Sequence, residues 1–225
     1  MSKSQEGNKA AKGLKWRLAQ YVERRWWRNY LKDKNDDRYL TWKKEYWASF
    51  FQKVQQHIQL KEGQSVADMG CGPAGIFTFF ENQKVLAVDP LLDMYTKDLS
   101  VFDQKKYPWV SFQKSTIEDF STEELFHLVC CLNVINHVND IQKATDKLFS
   151  LTKPGGYCLL SIDAHNHGGL KTLFRLIPGD ILHPYQYDLE EYKALMTNAG
   201  FQLIDCILIK KSPIFNYFLL LGQRL

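Results

Sequence analysis

The chain has 225 residues, 45% of them hydrophobic, which suits one globular domain with a small appendage and requires no second full domain. It holds no apolar run of about 18 residues and no signal-peptide pattern, so a cytoplasmic protein is expected, and its five cysteines, at 71, 130, 131, 158 and 206, form no CxxC pair, which argues against a disulfide framework or a structural zinc site. The net charge of +4 is uneven: residues 1–60 carry 14 Lys or Arg against 6 Asp or Glu, and the remainder 15 against 19.

Residues 1–12 lack periodicity and read as a disordered tail, followed by an N-terminal helical cap over 13–60 and the main domain over 61–225. From Leu14, apolar residues recur every four positions through Leu18, Val22, Trp26 and Tyr30, with Trp27 and Leu31 alongside, predicting an amphipathic helix with Arg17, Arg24, Arg25, Arg28 and Lys32 mostly on its other faces. The segment KDKNDD ends it. Asp36 or Asp37 then caps a second helix, in which Tyr39, Trp42, Tyr46, Trp47, Phe50, Phe51, Val54 and Ile58 keep a three-and-four spacing. Five of the six tryptophans precede residue 50. Such aromatics pack helices against a domain, form a lid over a ligand, or, mixed with arginine, lie on a membrane surface.

Strands and helices alternate after Gly63: strand 65–69, helix from about 75, strand 84–89, helix 91–99, strands 109–114 and 125–132, helix 139–150 and strand 157–163. Alternation of this kind predicts a parallel sheet covered by helices on both sides. Lys153-Pro154-Gly155-Gly156 reads as a turn, and 164–186 as a long connection of the kind that builds substrate sites. Asp188 caps a helix to about Asn198. Two apolar runs, 201–209 and 214–221, follow with so short a link that they must be antiparallel.

The chemistry concentrates in SVADMGCGPAGIFTFFENQKVLAVD, residues 65–89. Gly70, Gly72 and Gly75 let the backbone turn sharply and approach a ligand closely. Asp89 ends the second apolar run, where a carboxylate can accept both hydroxyls of a ribose. Asp68 points a carboxylate into the turn, which repels a pyrophosphate and suits an amino group. S-adenosylmethionine (SAM) carries an amine, a ribose and an adenine and no phosphate, so an acid at each strand end matches its groups.

Over roughly 60–225 the sequence resembles the class I SAM-dependent methyltransferases. The resemblance rests on VADMGCGPAG at 66–75, VLAVDP at 85–90, Thr116-Ile117-Glu118-Asp119, FHLVCCLNVINHV at 126–138, LTKPGG at 151–156 and HPYQYDLEEYKALMTNAGF at 183–201, in that order. It implies a three-layer α/β sandwich with a seven-stranded, mostly parallel sheet, its last strand antiparallel, here with an N-terminal helical extension. It also implies that the segment Gly70-Cys71-Gly72 contacts the methionine part of SAM and that Asp89, followed by Pro90, binds the ribose. Met94 and Ile117 would flank adenine, Glu118 would lie near its amino group, and Leu132 or Asn133 would border the sulfonium. His127 stands where the family usually has an aspartate. Asn136 replaces the glutamate that many quinone-type members carry before histidine, so that subgroup's substrate and metal dependence are not carried over.

Methyl transfer to an O, N, S or C nucleophile leaves S-adenosylhomocysteine (SAH) and can use a base; the candidates are His137, His183 and Tyr185. His165-x-His167 has no third ligand at a readable spacing, so no metal is assigned. The sequence lacks the Asn-Pro-Pro-aromatic and Pro-Cys signatures of nucleic-acid methylation, which favours a small or amphipathic acceptor, with peripheral membrane contact through the basic, aromatic N-terminal helix. The other readings are a SAM-fold binding or scaffold protein without catalysis and a nucleotide-binding oxidoreductase.

Overall fold

The computed structural model describes residues 20–34, 36–166 and 187–225. The expected tail, the start of the first helix, and most of the 164–186 connection, with His167, His183 and Tyr185, lie outside the described residues. Residues 20–31 are the described part of helix α1, and α2 spans Asp36–Gln52. The main domain then runs β1 (Ser65–Met69), β2 (Lys84–Val88), α3 (Leu92–Asp98), β3 (Val110–Gln113), β4 (Phe126–Cys131), α4 (Ile141–Leu151), β5 (Thr152–His165), α5 (Leu189–Asn198), β6 (Phe201–Lys210) and β7 (Phe215–Arg224).

The seven strands form one sheet in the order β3-β2-β1-β4-β5-β7-β6, with β7 antiparallel to both its neighbours and the rest running one way. The expected sandwich is therefore the observed one. Strand alternation sorts the core into two layers. Val66, Leu128, Leu159, Leu219 and Leu221 face one side, where α2 and α3 pack, while Ala67, Val129, Cys158, Leu160 and Leu220 face the other, against α4 and α5. The five cysteines are free; Cys130, Cys131 and Cys158 are buried in their apolar strands and Cys71 in the glycine turn, whereas Cys206, also in an apolar run, is half-buried.

Two local expectations are corrected. No α-helix follows the glycine turn; residues Ile76–Thr78 make a single 3-10 turn. Only five residues separate Thr78 from Lys84, and the sheet face above them is already taken by α2. Trp47 of α2 is buried and donates its indole N–H to the Ala74 carbonyl at 2.9 Å, and Phe51 meets Phe80 edge to face with ring centroids 5.3 Å apart. α2 thus packs as part of the sandwich itself. Trp47→Phe keeps most of the packing but orphans that carbonyl, so it should lower the free energy of unfolding by about 1–3 kcal/mol in urea titration. An unchanged midpoint would mean that the carbonyl finds water. The second correction concerns Lys153-Pro154-Gly155-Gly156, which lies inside β5 as a looped-out irregularity: Phe126 pairs with Thr152, and Leu128 next with Tyr157.

A third difference concerns α1. Of the apolar residues expected to form its packing face, Trp27 and Leu31 turn inward, whereas Val22, Trp26 and Tyr30 are largely exposed, at 37%, 50% and 37%. The inward stripe is Glu23, Trp27 and Leu31, each a turn apart. Arg24 fixes this rotation by donating from Nε and Nη2 to Asp98 Oδ2 on α3, at 2.9 and 2.6 Å.

Candidate functional site

In the sheet, β1 has β2 on one side and β4 on the other, so the connections leaving β1 and β4 diverge and open a crevice at their carboxyl ends. The residues that fill it come from the loops after β1, β2 and β4. Gly70 and Gly72 have φ of +77° and +58°, in the left-handed region, and Gly70 N and Cys71 N donate to Val88 O at 2.7 and 3.1 Å, tying the turn to the end of β2. Gly75 differs from the expectation. Its φ is −75°, so what it supplies is space: a Cβ there would strike the Cys71 carbonyl and the Asp68 carboxylate.

Asp89, just past β2, is buried, and its two oxygens each hold a backbone donor: Gly72 N to Oδ2 at 2.9 Å and Leu91 N to Oδ1 at 2.8 Å. Burial raises its pKa to about 6 against the pull of these two bonds. One carboxylate therefore fixes the shape of the glycine turn and also faces the crevice. Asp68 is buried beneath the turn, off the pocket wall, and Oδ2 accepts from Phe77 N at 3.1 Å; burial pushes its pKa to about 7.

On the β4 side, Asn133 has φ +61°, a left-handed residue other than glycine. Its backbone N–H donates to Ser161 Oγ on β5 at 2.7 Å, which holds the strained position. Glu118 Oε1 accepts from Asn139 N and Asp140 N at 2.7 and 3.1 Å, joining its segment to the start of α4. His127 is structural, accepting at Nδ1 from Ser65 N at 3.2 Å, on the far side of the sheet end.

These loops enclose a cavity of about 530 Å³, within the range of small-molecule sites. Gly70, Cys71, Gly72, Asp89, Pro90, Ile117, Glu118, Leu132, Asn133 and His137 all line it, so residues spread over 68 positions meet at one place. Asp68 and Met94 are buried behind the wall, and His183 and Tyr185 lie outside the described residues. Among the described residues no cluster of three His, Cys, Asp or Glu side chains could hold a metal ion.

The N-terminal helices supply the rest of the wall. Trp26, Trp27 and Tyr30 come from α1 and Tyr39, Trp42 and Trp47 from α2, together with Glu23 and Lys43. A Cβ on Gly72 would stand 3.6 Å from Trp27 Cζ2, so the indole lies over the glycine turn. Lys43 Nζ is 4.4 Å from the Trp47 ring centroid and 5.1 Å from that of Tyr46, and burial lowers its pKa to about 8. Burial, reinforced by the charge of Asp89, raises the pKa of Glu23 to about 7. Sequence reading had the aromatics in view and missed these two charges, because a Lys or Glu on a helix ordinarily faces water and periodicity does not mark the exception.

The wall carries three carboxylates, Glu23, Asp89 and Glu118, against one lysine and no arginine among the described residues. That balance fits a nucleoside ligand without phosphate, and the glycine turn gives its backbone room. The fold and crevice define a Rossmann-like α/β nucleoside-binding domain. The family model of the methyltransferase domain matches residues 39–205, well over half of the chain, and the chain belongs to that family. Its cofactor is accordingly SAM, whose amine, ribose and adenine meet no repulsion here. Ubiquinone biosynthesis O-methyltransferases are similar in sequence: that of Rickettsia felis is 30% identical over 112 residues, 49% of this chain and 46% of the relative, and that of Rickettsia conorii is 29% identical over 201 residues, 77% and 66%. The chain spans about half the length of the Rickettsia felis relative. Among solved structures, magnesium protoporphyrin IX methyltransferase from Synechocystis with bound SAH shares the fold at a TM-score of 0.60 and 18% identity, covering 92% of this chain and 95% of that one.

Proposed function

We propose that the chain transfers the methyl group of SAM to an oxygen of a small amphipathic acceptor. The observation that carries this reading is that the cavity at Asp89 and the glycine turn continues beneath the rings of α1 and α2. One end is polar and acidic, as a nucleoside needs; the other is aromatic, as a flat or lipid-like acceptor needs. The two ubiquinone biosynthesis relatives are O-methyltransferases, which supports oxygen as the acceptor atom.

In this reading residues 61–225 hold the cofactor and 13–60 cap it in a cytoplasmic protein. Asp89 takes the ribose, Ile117 flanks adenine, Glu118 lies near its amino group, and Leu132 or Asn133 borders the sulfonium. SAM supplies an electrophilic methyl group when bound. The chain aligns the acceptor oxygen and excludes water, and alignment can account for about 7–11 kcal/mol of the barrier. The acceptor hydroxyl loses its proton as the new carbon–oxygen bond forms. His137 on the wall is the proton acceptor in this reading, a role that elsewhere contributes roughly 10²–10⁴-fold.

Peripheral contact with a membrane belongs to the same reading. Trp26, Tyr30 and Trp42 line the cavity and are partly exposed, Tyr21 and Val22 are exposed on α1, and Arg25, Arg28 and Lys32 line a neighbouring groove with Tyr21, a mixture that favours an anionic lipid surface. No helix of the described residues is long and apolar enough to cross a membrane. The test is transfer of radiolabelled methyl from SAM into whole-cell extract including membranes, followed by fractionation. Label in the organic phase is the expected result and supports both acceptor and membrane contact; label confined to nucleic acid or protein would overturn the reading. SAH binding without label in any fraction would favour a binding protein that lacks catalysis.

A further inference from the structure

Glu23 enters the cofactor pocket from α1, whereas the loops that build the rest of the cofactor site come from the main domain. Its orientation is set from two sides. Arg24, the next residue, is clamped to Asp98 on α3, and Trp27, one turn on, lies over Gly72, whose N–H is bound to Asp89. Glu23 therefore faces the same corner as Asp89. The groups around that corner are Asp89 itself, the Trp27 indole, which hydrogen-bonds Glu23, the buried Tyr95 of α3 and the buried Cys71 of the glycine turn; Asp89 opposes ionisation of both Glu23 and Tyr95. None of them is a cation. Two carboxylates turned towards one corner with no cation between them leave a place for a ligand that donates hydrogen bonds and carries no negative charge.

Asp89 also has less to offer a diol than its position alone suggests. Each oxygen already accepts a backbone N–H, so part of its acceptor capacity is committed to the shape of the turn. A ribose presents two adjacent hydroxyl donors. We infer that Glu23 is the second carboxylate of the ribose subsite, so that α1 closes over the cofactor through a hydrogen bond to it. This rests on the SAM reading. It makes α1 part of the cofactor site rather than only a wall of the acceptor site.

The test is a cycle between residue and ligand hydroxyls, read by calorimetry on the full chain. Adenosine and 2′,3′-dideoxyadenosine are titrated into wild type and Glu23→Gln. Wild type should bind adenosine more tightly; Glu23→Gln should lose about tenfold for adenosine and nearly nothing for the dideoxy compound, as expected for one hydrogen bond to a charged group. Equal losses for both ligands, or no loss for either, would overturn the assignment, since a residue that only seats α1 does not sense the hydroxyls. Failure of wild type to bind adenosine or SAH at all would overturn the cofactor reading instead. Glu23→Asp, shorter but still charged, should fall between wild type and Gln for adenosine; a loss equal to that of Gln would show that position, rather than charge, is what the hydroxyls require.

Discussion

Gly70→Ala is expected to destabilise the protein by about 2–5 kcal/mol and to abolish measurable SAH binding. Two costs add. A left-handed φ of +77° penalises any L side chain by roughly 1–2 kcal/mol, and a Cβ at this position would stand 2.5 Å from both methyls of Val134. Forcing a methyl into such a contact typically costs a further 1–3 kcal/mol or so. Relief by movement of Val134 would shift the neighbouring Asn133 and Leu132, which line the pocket. The measurement is chemical unfolding combined with SAH calorimetry. A folded Gly70→Ala protein that binds SAH normally would show that the turn can relax and that the close approach to Val134 is incidental. Gly70→Ala with Val134→Ala separates the two costs: it removes the two 2.5 Å contacts, keeps a 2.9 Å one to the Cβ of residue 134, and leaves the dihedral part whole.

Asp89→Ala should weaken SAH by about 100-fold or more, beyond the 10- to 100-fold expected from one or two lost hydrogen bonds to a charged group. The excess arises because the same carboxylate holds Gly72 N and Leu91 N, so its removal also frees the turn that shapes the cavity. Asp89→Asn retains one acceptor oxygen and should lose less. The pH dependence has a definite sign. Burial raises the pKa of Asp89 to about 6 and that of Glu23 to about 7, and hydroxyl donors prefer the ionised forms, so SAH affinity of the wild type should fall as pH drops through 7 and then 6 and level off above that range. An affinity in Asp89→Asn that still falls through pH 6 would assign the titration to another group.

Much of this molecule follows from local pattern. Continuous apolar runs place β1, β2 and β4, the four-residue linker between Lys210 and Phe215 leaves β7 no course but to turn back along β6, and Asp188 forms the expected cap with a reciprocal capping box to Glu191. The glycine turn and Asp89 were legible for the same reason: a carboxylate ending an apolar strand and glycines at tight spacing have few structural explanations. The helix expected after Gly75 was not legible as absent. Its place on the sheet is taken by α2, which is distant in sequence, and Trp47 and Phe51 show this only when their partners Ala74 and Phe80 are known.

The sequence by itself determined the strands, the glycine turn, the ribose-type acid and through them the family, because each depends on residues within one element or its flanks. Tertiary structure decided which face of α1 turns inward, since Val22, Trp26 and Tyr30 make as good an apolar stripe as the one actually used, and the choice rests on the Arg24–Asp98 pair and on the room above Gly72. It also decided that Glu23 and Lys43 enter the pocket. A charged side chain leaves the solvent only where packing from several elements surrounds it, and no local pattern carries that information.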